Sequence, residues 1–492
     1  MPEKLPKGWV KTKLGEVCLP VASIQPDDFP DAHFTYFDIG GIDNERNLIA
    51  ETKIVTGRTA PSRARQLLRK NDILFSTVRT YLRKIALVER EYPNPVASTG
   101  FAVIRAAQGV SSNLLFFQVL SEDFLQPLHE LQTGSSYPAV RAKDVFAQSI
   151  VVPPTAEQER LVAKLRPALS GVERAETATR RAQERLRRYR AAVLDAAVTG
   201  KLTRAWRESQ LKDEKTDIEA GEHLLRGLLL TRRTLWEETE LKRLSDNGKI
   251  PQNDQWKSKY PRPRGPITKS LPELPSEWIW ASLEQVSTRV TVGYVGAMKN
   301  EYVRNGIPFL RSQNVRPNRF EAEGLVFIRR QFHTKLAKST ITPGDVVVVR
   351  SGVAVGTACV IPEKLGEANC SDLVLIQGPL IKPDFISFYM NSAARRHVEL
   401  GKVGIAQPHF NTASVASLSV PLPPVAEQTE IVLQVKRRLA AADRLATTLD
   451  RQLERARATR QSLLQEAFAG RLVPQNSNDE PASVLLESIR AG

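Results

Sequence analysis

Residues 153–161 read PPTAEQERL, and residues 423–431 read PPVAEQTEI. The echo is not isolated. Gly200-Lys201-Leu202 returns as Gly470-Arg471-Leu472, and both echoes are displaced by 270 positions. Nearer the N-terminus, LPKGWVKTKLGEV (5–17) returns as LPSEWIWASLEQV (274–286), displaced by 269. The chain is two tandem copies of one module with a connector between them. A period this long marks a duplicated domain and not a solenoid.

Each Pro-Pro pair cannot continue a strand ladder and fixes φ, so it stops a strand and launches a helix. Thr155 and Gln158 fit a capping box, with Glu157 favourable near the positive helix end. The second copy has Val425 in place of the threonine. After each motif the apolar or small positions step alternately by four and three. The first seam is Leu161, Leu165, Ala168, Val172, Ala175, Thr179, Ala182, Leu186, Tyr189, Val193 and Ala196. The second is Val432, Val435, Leu439, Ala442, Ala446, Leu449, Leu453, Ala456, Arg460, Leu463 and Ala467, with one charged intruder at Arg460. Such heptad seams predict two long helices that pack on each other. Gly200 and Gly470 sit where a left-handed glycine would end each helix.

The region before each helix reads strand-rich. IPFLRSQNV (307–315) and GDVVVVRSGVAVGTACVI (344–361) predict strands joined by tight turns, and NDILFSTVRTYLRKIALV (71–88) occupies the matching place in the first copy. Helices are expected at 112–131 and 383–400. The connector predicts a helix over 223–244 and an extended Pro-rich segment over 259–266. A weaker echo relates Glu219, Leu224, Leu225 and Leu228 to Glu480, Leu485, Leu486 and Ile489, and predicts a short helix after each long one. The reading is α+β. It divides the chain into a first domain (1–155), a long helix (156–202), a connector (203–273), a second domain (274–424), a second long helix (425–472) and a tail (473–492).

The formal net charge of +16 over 492 residues points to a polyanionic partner, most often nucleic acid. Three cysteines give neither a disulfide framework nor a paired metal motif. MPEKLPKGWV has no apolar signal region, and the most apolar run is broken by Asp345 and Arg350, so a cytoplasmic protein with no membrane partner is expected. Neither a GxxxxGK[ST] loop nor a GxGxxG fingerprint is present, and the six histidines are scattered. One degenerate match exists: Pro30-Asp31 followed by Glu51-Thr52-Lys53 fits the PD…ExK pattern of metal-dependent nucleases, with no counterpart in the second copy.

Taken together, the chain resembles the specificity subunit of type I restriction-modification enzymes over essentially its full length. The resemblance rests on the tandem Trp-bearing starts LPKGWV and LPSEWIW and on GDVVVVRSGVAVGTACVI. It rests also on the turns TGSSYPAV and VGIAQPHFN, the two Pro-Pro-x-Ala-Glu-Gln helices and the connector WEETELKRLSDNGKIPQNDQWKSKYP (236–261). It implies a non-catalytic chain with two tandem α/β target recognition domains. Each would be followed by a long helix, and the two helices would pack as an antiparallel coiled coil. The implied target is a bipartite site in double-stranded DNA. The implied partners are two modification subunits, which methylate adenine, and restriction subunits. No cofactor is expected on this chain; S-adenosylmethionine, ATP and Mg²⁺ belong to the partners. The alternatives are a coiled-coil scaffold that reads no DNA, and the PD…ExK nuclease.

Arg, Gln and Asn suit bidentate base contacts. In the second domain Arg311, Gln313, Asn314, Arg350 and Ser351 flank strand ends. In the first, Arg63, Arg65, Arg79, Arg83 and Lys84 are the candidates. Ser135, Ser136 and Tyr137, with Gln407, His409 and Asn411, lie in turns that could touch phosphate or bases. Many real contacts of this kind only position the backbone.

Overall fold

The N-terminal strand of each module returns to the strand that precedes its long helix. Val10–Lys13 pairs antiparallel with Ser149–Val152, and Ile279–Ser282 pairs antiparallel with Ser419–Leu422. This pairing delivers Trp9 and Trp278 to the helix starts. The computed structural model describes residues 5–134, 138–212, 220–268, 271–298, 300–392 and 411–491. Contacts divide the chain into two compact units, residues 1–182 with 448–492, and residues 183–447. Each unit holds one globular domain, the start of that domain's own long helix and the end of the other.

The globular domains are built alike. In the first, one four-stranded sheet runs Lys53–Thr56, His33–Phe37, Pro95–Ser98, Ala64–Leu67. A second sheet runs Cys18–Leu19, Phe101–Ala106, Ile73–Ser76, Ile85–Leu87. The second domain repeats the latter order as Ser287–Val292, Leu373–Pro379, Val346–Val349, Ala358–Val360. Its other sheet has five strands: Tyr302–Val303, Val326–Ile328, Ile307–Leu310, Ala368–Cys370 and Thr340–Ile341. Strand Val346–Val349 is buried on both faces, which accounts for its unbroken run of valines. The helix expected over 112–131 is two helices, Ser112–Val119 and Glu122–Glu130. Ser121 between them takes an extended conformation (φ −72°, ψ 150°) and breaks the run. Of the helix expected over 383–400, Pro383–Met390 is described; residues 393–400 lie outside the described residues.

The two long helices, Thr155–Val198 and Val425–Phe468, have 44 residues each and pack antiparallel as a coiled coil. In the first unit Leu161 and Leu165 share a core with Leu464, Ala467 and Phe468. In the second, Val193, Leu194, Ala197 and Val198 share one with Ile431 and Val435. The seam holds in the main, but Ala175 is exposed, and in the second helix Ile431 and Leu464 are buried beside the expected Val432 and Leu463, which are half-buried. Tyr189 is exposed, and in the last turn Ala197 and Val198 are buried where Ala196 was expected. The helix end has turned its face toward the domain packed against it. Arg460, the charged intruder, meets Glu176 at 3.1 Å across the seam. Gly200 and Gly470 both adopt φ +72°, as expected of terminal glycines. A Cβ at Gly200 would lie 2.5 Å from Pro275, and one at Gly470 would lie 2.1 Å from Pro6. The end of each helix is thus pressed on the beginning of the other module.

The repeated Ala-Glu-Gln has a structural meaning that differs from the expected capping box. Thr155 is already helical, so its hydroxyl caps nothing. Gln158 instead donates to the Pro153 carbonyl (3.0 Å) and accepts from the Ser111 amide (2.8 Å). Gln428 does the same with Pro423 (2.8 Å) and Lys382 (3.0 Å). Glu157 accepts from the Trp9 indole at 2.9 Å, and Glu427 from the Trp278 indole at 2.8 Å. The other carboxylate oxygen takes a donor from beyond the opposite helix. For Glu157 this is the Gln475 amide, at 2.6 Å. For Glu427 it is the Thr203 hydroxyl, at 2.6 Å, and the Arg207 guanidinium, at 2.7 Å.

The weak echo between connector and tail is borne out. The amide of Gly221 donates to the Glu277 carbonyl (2.9 Å), and that of Ala482 donates to the Gly8 carbonyl (2.8 Å). Both open helices, Gly221–Asp246 and Ala482–Ala491. The connector helix runs longer, and its buried Arg232 donates to the Glu284, Ser287 and Pro261 carbonyls and to the Tyr260 hydroxyl. Among the described residues no helix is long and apolar enough to cross a membrane.

Glu427 and Glu157 occupy matching places but hold different partners. Glu427→Ala strands the buried Arg207 charge and should lower stability by about 3–5 kcal/mol. Glu157→Ala strands only neutral donors and should cost about 1–3 kcal/mol. Urea unfolding of the two variants checks the order; equal losses would refute it.

Candidate nucleic-acid interface

The second-sheet hairpin gives each domain a loop of the same length on the same frame. Ile73 pairs with Leu87 and Phe75 with Ile85; in the second domain Val346 pairs with Val360 and Val348 with Ala358. The register therefore places residues 77–84 on 350–357, a displacement of 273. The closing hydrogen bonds agree: Ser76 N–H to Lys84 O is 3.0 Å, and Val349 N–H to Thr357 O is 2.8 Å.

Both loops bend through left-handed residues at the same places. Gly352 has φ +87° and Gly356 φ +82°; their counterparts are Arg79 at +50° and Arg83 at +51°. Just ahead of the hairpin, Gly344 (+90°) corresponds to Asn71 (+72°). Glycine adopts this conformation freely and asparagine readily, whereas for arginine it costs on the order of 1 kcal/mol or more.

In the first domain the loop is braced from several sides. The Arg79 amide donates to the Pro138 carbonyl at 2.7 Å, and the Arg83 carbonyl accepts from the Asn47 side chain at 2.9 Å. The Arg83 guanidinium pairs with Glu122, and Lys84 Nζ donates to the Ile39 carbonyl at 2.9 Å. Arg63 is exposed on the neighbouring turn. Its carbonyl accepts from Thr99, while Thr77 donates to Gly100, so Arg63 and the loop share one edge. Arg65 lies on the strand Ala64–Leu67, its side chain turned back to the Ser62 carbonyl at 2.8 Å. Tyr81, which residue-type reasoning passed over, stands half out at the loop tip. It lines a groove of about 550 Å³ with Arg83, Arg180, Arg457 and Arg460, and with Glu45, Glu122 and Glu176.

In the second domain Arg350 pairs with Asp372, and the Ser371 amide donates to the Leu310 carbonyl. Arg311 and Gln313, which follow Leu310, both donate to the Gly324 carbonyl, at 2.7 and 3.1 Å. Arg311, Arg350 and the half-buried Ser351 therefore gather at one end of the sheets, with the exposed Gln313 beside them. Asn314 does not join them. It is wholly buried, its amide donating to the Glu321 and Glu323 carbonyls and its oxygen accepting from the Arg311 amide. It holds the turn and presents nothing outward. Asn411 is exposed, its oxygen accepting from the Ser414 amide (2.7 Å) to cap the helix Thr412–Ala416. Val353 is 102% exposed at the loop tip, another residue missed from type alone. Ser135, Ser136, Tyr137, Gln407 and His409 lie outside the described residues.

The nuclease pattern does not assemble. His33 pairs with Thr56 and Tyr36 with Lys53, so Asp31 and Lys53 stand at opposite ends of one strand pair. At about 3.3 Å per residue that is on the order of 16 Å. Asp31 instead pairs with Arg58 at 3.0 Å, and Lys53 with Asp38. Hydrogen bonding to the Lys53 ammonium and to the Gly40 and Gly41 amides outweighs partial burial and holds the Asp38 carboxyl below the usual range.

Two sheet domains of one build, each followed by a long helix and each carrying an equivalent loop with different side chains, make up the architecture. Residues 276–455 match the family described as the type I restriction modification DNA specificity domain. The chain is 26% identical over 392 residues to the type I restriction enzyme EcoBI specificity subunit of Escherichia coli, covering 77% of this chain and 72% of that one. It is 23% identical over 405 residues to the EcoKI specificity subunit of the same species, covering 79% and 73%. A solved chain from work on complex assembly and conformational transition of the type I R-M system superposes with a TM-score of 0.63 at 25% identity. That match covers 96% of this chain and all of that one. Over most of its length the chain is similar to the specificity subunits of type I restriction-modification systems.

Asn314→Ala removes a buried amide and leaves two carbonyls unsatisfied, which should cost about 1–3 kcal/mol of stability. Urea unfolding is the check. A variant as stable as the parent would return Asn314 to the surface candidates.

Proposed function

We propose that the chain reads a bipartite site in double-stranded DNA, one half with each globular domain. The domains are assigned to 1–155 and 274–424. In this reading the coil positions two modification subunits, and restriction subunits complete the assembly. S-adenosylmethionine sits on the modification subunits, and ATP and Mg²⁺ on the restriction subunits, in the cytoplasm. The observation that carries the reading is the pair of equivalent loops: one backbone frame, two different sets of outward side chains. A scaffold that only joined proteins would have no use for them. The net charge of +16 favours the same conclusion, because phosphate neutralisation releases counterions.

The proposed contacts are Arg63, Arg65, Arg79, Arg83 and Lys84 in the first half, and Arg311, Gln313, Arg350 and Ser351 in the second. Lys84 and Arg65 are tethered to carbonyls and suit phosphate positioning; Arg350 has a carboxylate partner, Asp372, that can orient it toward a base edge.

The test is retention of a genomic duplex by the chain co-purified with its modification subunit. Affinity should fall by on the order of a thousandfold or more from 50 to 200 mM salt if six to ten phosphates are contacted. Arg350→Ala should weaken or relax one half-site by roughly 1–3 kcal/mol and leave the other intact. Salt-independent binding, or an Arg350 variant with unchanged affinity and methylated motif, would contradict the reading.

A further inference from the structure

In the middle of the two long helices the packed positions differ between the copies, while an outward face is the same. Along the seam Val172, Thr179 and Leu186 are replaced, 270 positions on, by Ala442, Leu449 and Ala456. Packing of this kind tolerates exchange as long as volume is made up nearby. On the outside Arg174, Arg181, Glu184 and Arg185 return unchanged as Arg444, Arg451, Glu454 and Arg455. At about 3.6 residues per turn each set falls within an arc of roughly 100° on its helix. All six arginines are exposed.

The fold does not account for four of them. Arg190 and Arg460 also recur, but each has a carboxylate across the coil, Asp443 at 2.6 Å and Glu176 at 3.1 Å. Arg174 at least reaches the Ser170 hydroxyl, at 2.9 Å. Arg181, Arg185, Arg451 and Arg455 have no side-chain partner among the described residues. Each helix carries two of them four residues apart, a spacing at which like charges repel. The coil would be steadier with one arginine of each pair replaced. A charged pair that the fold does not need, kept at the same outward place in both copies, fits a ligand that is met twice.

We propose that each long helix presents this face to an acidic protein surface, and that the surface belongs to a partner present in two copies. In the function proposed above that partner is the modification subunit, so the assignment rests on that function. A row of arginines alone would equally suit phosphate. The same face, however, retains a carboxylate in both copies, Glu184 and Glu454, which repels a DNA backbone and accepts a donor from a protein. Glu184 is already oriented along its own helix by Arg187, at 3.1 Å. The hairpin loops give the contrast: 77–84 and 350–357 share no residue at any matched position. Surfaces that meet unlike half-sites have diverged, and the one that meets the same partner twice has not.

The experiment uses the full chain together with the modification subunit. It compares the wild type with R181E/R185E in the first helix, R451E/R455E in the second, and all four changes combined. Native mass spectrometry counts the modification subunits bound, and the melting temperature of the chain alone is recorded. The wild type should carry two modification subunits. Each paired variant should hold one as before and the other roughly tenfold or more weakly, and the combined variant should lose both. The melting temperature should not change, because one like-charged pair replaces another. Two subunits bound at wild-type strength by every variant would overturn the proposal. So would a chain that melts several degrees lower, since the arginines would then be holding the coil. An intact assembly whose duplex affinity falls, with a shallower salt dependence, would make the face a phosphate surface and overturn it too. A wild-type chain that fails to take up two modification subunits would instead overturn the function on which the assignment rests. That outcome is separable from the others because it appears without any substitution.

Discussion

Two buried carboxylates, Glu157 and Glu427, are the points through which each module is closed. Each lies in the first turn of a long helix, where the positive helix end favours it. One oxygen takes the indole of the tryptophan that opens the same module, and the other takes a donor that follows the opposite helix. A single side chain thus joins three pieces of chain: the domain, its own helix and the segment beyond the other one. The glutamine beside it acts at shorter range, tying helix start to domain through a proline carbonyl and a backbone amide. Every buried oxygen of the motif has a partner, which is what allows a charge to be sunk there at all.

From these joints the rest is built. The strands before each helix are fixed by pairing with the strand that carries the tryptophan, and the sheets extend outward from there. The hairpin loops emerge from the second sheet of each domain. Their backbones are set by left-handed residues and by bonds to neighbouring turns, so their side chains can diverge while the frame does not. The two copies show how far this goes: Arg-Thr-Tyr-Leu-Arg on one frame, Gly-Val-Ala-Val-Gly on the other.

Much of this architecture was legible in the sequence because duplication leaves echoes at a constant spacing. The Pro-Pro boundary, the heptad seams and the terminal glycines all describe local rules, and local rules survive in a single sequence. The Trp9–Glu157 bond was not legible, since its partners lie 148 positions apart. The capping box was a misreading for a related reason: the pattern was present, but Thr155 had already entered the helix and Gln158 had a better partner outside it. At the interface, residue type picked out Asn314, which the fold buries, and passed over Tyr81 and Val353, which it exposes. The replacement of glycines by arginines in the loop was visible in the sequence. Its meaning was not, because only the backbone angles reveal that those glycines sit in the left-handed region.

The central claim is that two domains of one fold read two halves of a site independently. Exchange of residues 1–152 for the corresponding domain of a relative, with mapping of the methylated motif, tests it most directly. The account requires that one half of the motif change to that of the donor while the other half is kept. A motif altered in both halves, or in neither, with the chimera folded and active, would contradict it.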